Sequence, residues 1–331
     1  MSLDSSAIVT AWYRGSGWLI LLRPLELLFR VVAASRRMLY TKGILKVWRS
    51  PVPVVIVGNI TVGGTGKTPV VIALVEYLQL QGFKPGVVSR GYGASKGSFP
   101  HSISSRSTVA DCGDEPLLIF QRTGCPCVVA PDRVLAVKQL LAEFDVDVVL
   151  CDDGLQHYAL ERDLEIAVMD KRLGLGNGYC LPAGPLREPA QRLEQVDYVL
   201  YRGSVDPDTG VRYEADELVN LSRNDHTAFT TELLGPKVHA VAGIGQPEQF
   251  FSTLEECGFS LTTHIYPDHH LFSVDDFCSL RDQPIIMTEK DAVKCRELVG
   301  DNAWYLKICA QIPTQIEDAV CGLLRSKVHT L

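Results

Sequence analysis

A glycine-rich turn carrying a lysine and a threonine constrains this 331-residue chain more than any other feature. Gly63-Gly64-Thr65-Gly66-Lys67-Thr68 follows the β-branched run at 54–57 and precedes Val70, Val71, Leu74, Tyr77 and Leu78, which recur at helical spacing until Gly82. A continuous β-branched run reads as a strand buried on both faces. Between such a strand and a helix, glycines let backbone N–H groups turn inward around phosphates, and the helix N-terminus adds partial positive charge. Lys67 is then the residue that reaches the β- and γ-phosphates, and the Thr68 hydroxyl a ligand for Mg²⁺. Thr61 and Val62 complete the loop, although the strict pattern places glycine at position 61. Pro69 is tolerated because the first helical turn has unpaired N–H groups anyway.

A second signal fits the first. Val148-Val149-Leu150-Cys151-Asp152-Asp153 ends an apolar strand in acids, where carboxylates face a phosphate loop and hold a metal directly or through water. Asp152 is the better placed, with Asp153 assisting. Further strand and helix signals alternate: strands near 87–88, 127–130, 164–169 and 198–201, and a helix capped by Asp132. The fold class expected is α/β, a doubly wound mostly parallel sheet of P-loop NTPase type with a smaller second α/β domain. The organisation expected is an N-terminal membrane-associated segment (1–50), a nucleotide-binding domain (51–204), a polar, irregular hinge (205–233) and a C-terminal α/β domain (234–331).

Composition narrows the class. The net charge of −7 argues against nucleic acid as a partner, while 46% hydrophobic residues call for a packed core. Positive charge instead crowds the first fifty residues. Between Trp18 and Ala34 the chain is strongly apolar, but Arg23, Glu26 and Arg30 fall on one helical face and Pro24 sits inside. That pattern reads as a helix lying in a membrane interface; a helix packed on the protein's own core and a true span are the alternatives. No signal peptide is expected. The ten cysteines lack zinc-type spacing and read as reduced, buried thiols.

Phosphate loops serve kinases, switches and motors alike. Thr288-Glu289-Lys290-Asp291 fails as a guanine-reading motif, because lysine and aspartate are adjacent. The partitioning ATPases, membrane switches with a deviant loop, carry a lysine where this chain has Val62.

The ordered set of Thr61 to Pro69, Ser89-Arg90-Gly91-Tyr92-Gly93, Gly113-Asp114-Glu115-Pro116, Asp152-Asp153-Gly154-Leu155-Gln156-His157, the 182–188 segment Pro-Ala-Gly-Pro-Leu-Arg-Glu and Pro267-Asp268-His269 resembles the tetraacyldisaccharide 4′-kinases over nearly the whole chain. The resemblance implies transfer of the ATP γ-phosphate, with Mg²⁺, to the 4′-hydroxyl of a tetraacyldisaccharide 1-phosphate, yielding lipid IVA. It implies a lipid disaccharide substrate, the cytoplasmic face of the inner membrane, and no obligatory protein partner. It makes Asp114 the base or orienting group and His269 its partner, with His270 adjacent. Chemistry adds Arg187 as a donor to the migrating phosphoryl group and Glu115 as a helper of the metal. Gln156 and His157 are expected to line the same site, and Arg90 and Tyr92 to contact nucleotide or lipid headgroup. The remaining alternative is a membrane-recruited switch ATPase.

Overall fold

The computed structural model describes residues 5–95 and 98–328. Asp4, whose charge argues against a signal peptide, and residues 96–97 of the loop after Gly93 lie outside them. The strands are β1 (Val54–Gly58), β2 (Pro85–Ser89), β3 (His101–Ser102), β4 (Cys127–Val129), β5 (Val148–Asp152), β6 (Leu164–Asp170), β7 (Tyr198–Arg202), β8 (Gly210–Asn220), β9 (His226–Ala228), β10 (Lys237–Ala242), β11 (Ser260–Ile265), β12 (Ile285–Thr288) and β13 (Ala303–Gln311). Among the described residues these thirteen form one sheet, ordered β11-β10-β12-β13-β8-β7-β6-β1-β5-β2-β4-β3, with β9 on β8. It is mixed but mostly parallel; β13 and β9 run antiparallel to β8, and β3 antiparallel to β4.

The period-two geometry of a strand explains why β1 is apolar throughout. Val55 and Val57 face a core with the helix Lys67–Leu80, while Val54 and Ile56 face a second core with the helix Arg133–Glu143. All five β1 residues are buried. The turn from β1 into the first helix therefore lies at the sheet's carboxyl edge, next to β5, with which β1 pairs from Val54↔Val149 to Val57↔Asp152. That register sets Asp152 beside the phosphate loop.

The expected hinge differs from what forms. Residues 205–233 were expected to be irregular, yet they contain β8, the longest strand described, followed by β9 and the short helix Thr231–Leu234. β8 joins the halves into one sheet: it meets β7 only at Tyr201↔Gly210 and Arg202↔Val211, but pairs with β13 from Asn220↔Trp304 to Arg212↔Gln311. The C-terminal helix Thr314–Val328 then packs back on the first half, burying Ile316, Val320 and Leu324 against the core of the first helix. The 234–331 stretch is therefore not a separate core along its whole length.

Near the N-terminus a helix (Ser5–Arg14) and a 3₁₀ segment (Gly17–Leu22) precede the helix Arg23–Thr41. Pro24 sits in its first turn, where a missing N–H costs nothing, so the apolar stretch is broken before Arg23 rather than forming one helix. The amphipathicity is inverted. Glu26 is buried (1% exposed), bridges to Arg23 at 3.2 Å and Arg30 at 3.7 Å, and accepts from the Cys180 amide. Leu21, Leu25, Leu28, Val31 and Val32 stand exposed. The charged face meets the protein and the leucines face outward, opposite to a helix packed on its own core. No helix among the described residues is long and apolar enough to cross a membrane.

Candidate active site

The phosphate loop is braced from several sides. Gly66 caps the first helix with φ 85°, a left-handed conformation that glycine adopts without steric cost. Asn59 is fully buried and donates to the Thr65 hydroxyl at 3.1 Å and, at 3.5 Å, to that of Thr61. The 180–188 segment lies along the loop: the Val62 amide donates to Pro185 O at 2.8 Å, and the Arg187 amide to Ile60 O at 2.7 Å. Gln156 ties the two together by donating to Asn59 O and to Glu188. Tyr213 of β8 donates its hydroxyl to the Gly66 carbonyl.

The acids divide into three roles. Asp153, at φ 53°, accepts from Arg187 at 3.0 and 2.8 Å and lies 3.4 Å from Lys67 Nζ. Burial raises its carboxyl, but Lys67 and Arg187 outweigh that and hold it far below the usual range. Asp153 thus anchors two cations beside the phosphate loop. Asp152 is different: it is fully buried, its Oδ2 has only Ser89 Oγ at 3.4 Å, and its Oδ1 has no hydrogen-bond partner among the described residues. Burial, and then the charge of Glu115, push it up to about 7, against the pull of Lys67. A buried carboxylate oxygen with no partner is costly unless a cation meets it. Among the described residues no group of three or more His, Cys, Asp or Glu gathers around one point. One carboxylate with substrate phosphates suits Mg²⁺, which is held that way more often than in an all-protein cage.

The third group crosses between the halves. His269 Nδ1 lies 2.9 Å from Asp114 Oδ2 and 3.1 Å from Oδ1. Asp114 is buried at the start of the helix Asp114–Thr123, and His269, at φ 61°, stands on the turn after β11. Burial raises the Asp114 carboxyl, but the His269 hydrogen bond and Lys290 bring it below its ordinary value. The same hydrogen bond raises His269. His270 goes elsewhere, stacked on Tyr266 with centroids 4.6 Å apart and 3.5 Å from Asp276. Tyr92 lies against the His269 ring at 5.1 Å.

Glu115 and His157 have further neighbours. Glu115 pairs with Lys290 at 3.1 Å while its charge also bears on Asp152. His157 sits 3.4 Å from Asp132, and burial and then Arg133 push it down to about 4; it has no contact with Asp114 or His269. Arg90 is exposed at the carboxyl end of β2.

The chain matches the family model described as tetraacyldisaccharide-1-P 4′-kinase (LpxK) over residues 18–325. The chain belongs to the tetraacyldisaccharide 4′-kinase family. It is 47% identical over 327 residues to the tetraacyldisaccharide 4′-kinase of Pseudomonas putida strain W619, covering 98% of this chain and 96% of that one. It is 48% identical over 309 residues to that of Pseudomonas aeruginosa strain LESB58, covering 92% and 93%. The crystal structure of LpxK from Aquifex aeolicus in complex with ATP superposes with a TM-score of 0.77 at 26% identity, covering 93% of this chain and 99% of that one. Within this kinase family chain, sequence reasoning missed Asn59, Glu188, Asp268 and Lys290. Glu188 and Asp268 stood inside quoted motifs without a role, and Lys290 inside a motif set aside for the wrong nucleotide.

Proposed function

We propose that this chain transfers the γ-phosphate of ATP to the 4′-hydroxyl of a tetraacyldisaccharide 1-phosphate, giving lipid IVA in lipid A synthesis. The observation that carries the reading is the Asp114–His269 pair, brought from two halves of the sheet to the neighbourhood of a braced phosphate loop. The 61–68 loop cradles the phosphates, and Lys67 lies on the β- and γ-phosphoryl groups. Arg187, held beside Lys67 by Asp153, neutralises charge on the migrating group. Asp114 accepts or orients the proton of the sugar hydroxyl, and His269 fixes the carboxylate's rotamer. Phosphoryl transfer asks chiefly for position and charge neutralisation, which these groups provide. Asp152 and Thr68 would hold Mg²⁺, which supplies further charge neutralisation on the phosphate oxygens when bound. Tyr92, packed against the His269 ring, is assigned to contact with the lipid headgroup.

The outward leucines of residues 21–32 and the basic residues from Arg36 to Arg49 suit a helix resting in an anionic membrane surface on the cytoplasmic side. Catalytic groups on both sides of the narrow β7–β8 junction support closure of the two halves over ATP, which would exclude water.

The test is transfer of radiolabelled γ-phosphate from Mg-ATP to detergent-dispersed tetraacyldisaccharide 1-phosphate. Wild type is expected to form lipid product and Asp114→Ala to lose about 10²-fold or more. ATP bound without lipid product would overturn the reading.

A further inference from the structure

Lys290 lies at the start of the helix Glu289–Cys295, and its ammonium is largely buried among three carboxylates. It reaches Glu115 at 3.1 Å, Asp268 at 3.2 Å and Asp114 at 3.8 Å. Glu115 and Asp114 begin a helix of the first half, whereas Asp268 belongs to the 266–270 turn of the second. That turn carries His269, and Asp268 also receives the His269 amide at 3.0 Å. One ammonium therefore touches the carboxylate, its neighbour and the residue that seats the imidazole.

The environment argues for a specific task. A buried ammonium is costly unless each of its three protons finds an acceptor, and here the acceptors come from two separate elements. The neighbouring charges on its own helix are already used. Glu289 takes Arg122 at 2.8 Å, and Asp291 takes Lys294 at 2.6 Å while accepting from the Gly243 amide. Thr288 caps the helix through the Asp291 amide, which fixes the direction of Lys290. Without the ammonium, Asp114, Glu115 and Asp268 would repel one another, and the 266–270 turn would be held on the first half by the His269 hydrogen bond and the Tyr92 ring contact.

We propose that Lys290 is a positioning residue for phosphoryl transfer: its ammonium draws the Asp268–His269 turn onto Asp114 and so assembles the carboxylate–imidazole pair across the two halves. This rests on the kinase reading above, since the pair it assembles is the one assigned to the sugar hydroxyl. Lys290 acts through Asp114 and His269 and needs no contact with substrate.

Two measurements test it, one of them independent of the lipid assay. At a fixed pH, the ¹⁵N imidazole spectrum of the full-length protein, assigned with His269→Asn, is expected to show a hydrogen-bonded Nδ1–H in wild type. Lys290→Met and Lys290→Gln should lose that signature, and Lys290→Arg should keep it. In the kinase assay the neutral variants should lose about tenfold in kcat with KM for ATP unchanged, and add no further loss in an Asp114→Ala background. An unchanged imidazole signature in a folded neutral variant overturns the inference, as does an additive loss with Asp114→Ala. Failure of both neutral variants to fold while Lys290→Arg folds assigns Lys290 to stability alone, and also overturns it. The imidazole spectrum decides the matter even where wild type gives no lipid product, an outcome that would sink the kinase reading instead.

Discussion

Tyr213, on the strand that joins the two halves of the sheet, donates its hydroxyl to the carbonyl of Gly66 at the end of the phosphate loop. The contact leaves no room for a side chain at Gly66, where a Cβ would run into the phenol and where φ is already positive. Gly66→Ala is therefore expected to abolish binding of an ATP analogue. Tyr213→Phe removes one hydrogen bond, worth about 1 kcal/mol, so its dissociation constant should rise by about fivefold. Calorimetric titration of both variants separates a steric need for glycine from the value of the hydroxyl.

The Asp114–His269 pair gives folding a pH signature. His269, ordinarily near 6.5, is raised, so its contribution is complete below that value and fades as pH climbs through the higher native value. Asp114, ordinarily near 3.8, is lowered, so its contribution is complete above that value and fades as pH falls through the lower native one. The difference in melting temperature between wild type and His269→Asn should be greatest between those two values and shrink above neutrality. A difference that stayed flat from pH 5 to 9 would remove the ion pair from the stability of the interface.

Asp152 trades stability for a waiting charge. Its native carboxyl titrates near 7 rather than 3.8, so the cost of ionising it is absent below 3.8 and complete only above about 7. Asp152→Asn should melt higher than wild type at pH 8, with the gain vanishing near pH 4, and should lose at least about 10²-fold in activity with Mg-ATP. A variant that is both less stable at pH 8 and fully active would refute the assignment.

The exposed face of the Arg23–Thr41 helix can be altered without touching the core. Leu25, Leu28 and Val31 are 55%, 61% and 62% exposed. Replacing all three by serine should weaken flotation with anionic vesicles by more than about tenfold, since each apolar side chain contributes roughly 1.5–3 kcal/mol on burial. Melting temperature should hardly move, as surface changes away from packed contacts stay near 0.5 kcal/mol or less. Equal flotation of the variant would show that these side chains do not meet the bilayer.

Much of this architecture was legible because buried parallel strands announce themselves. β1, β5 and β6 are buried along their whole length and apolar but for Asp152, Glu165 and Asp170, and the glycines and Lys67 between β1 and its helix have a single chemical explanation. β8 was not legible, since Arg212, Glu214, Asp216 and Glu217 read as a polar connector. In the fold, Lys307 of β13 reaches across to Asp216 at 3.0 Å and Glu217 at 2.7 Å, so charge pairing between strands replaces apolar alternation. The inward turn of Glu26 escaped for a related reason, because a lone carboxylate between arginines looks like a wet face until its partner, the Cys180 amide, arrives from far along the chain. The motif Pro267-Asp268-His269 points to His269 over its neighbour His270, and the backbone turn at His269 sends the two rings apart. Lys290 depends on partners up to 176 positions away, which no local pattern encodes.

The narrow junction at β8 also orders events during synthesis. Asp114 precedes its imidazole partner by 155 positions, and β13, which covers the long free edge of β8, is the last strand made. A nascent chain can therefore complete its phosphate loop while the acceptor side of the site is still unmade. Until residues 303–311 leave the ribosome, β8 remains an open edge exposed to mispairing. The late arrival of that strand seals the sheet and, in the same step, gives the helix that begins with Glu289 a floor from which Lys290 can reach the first half.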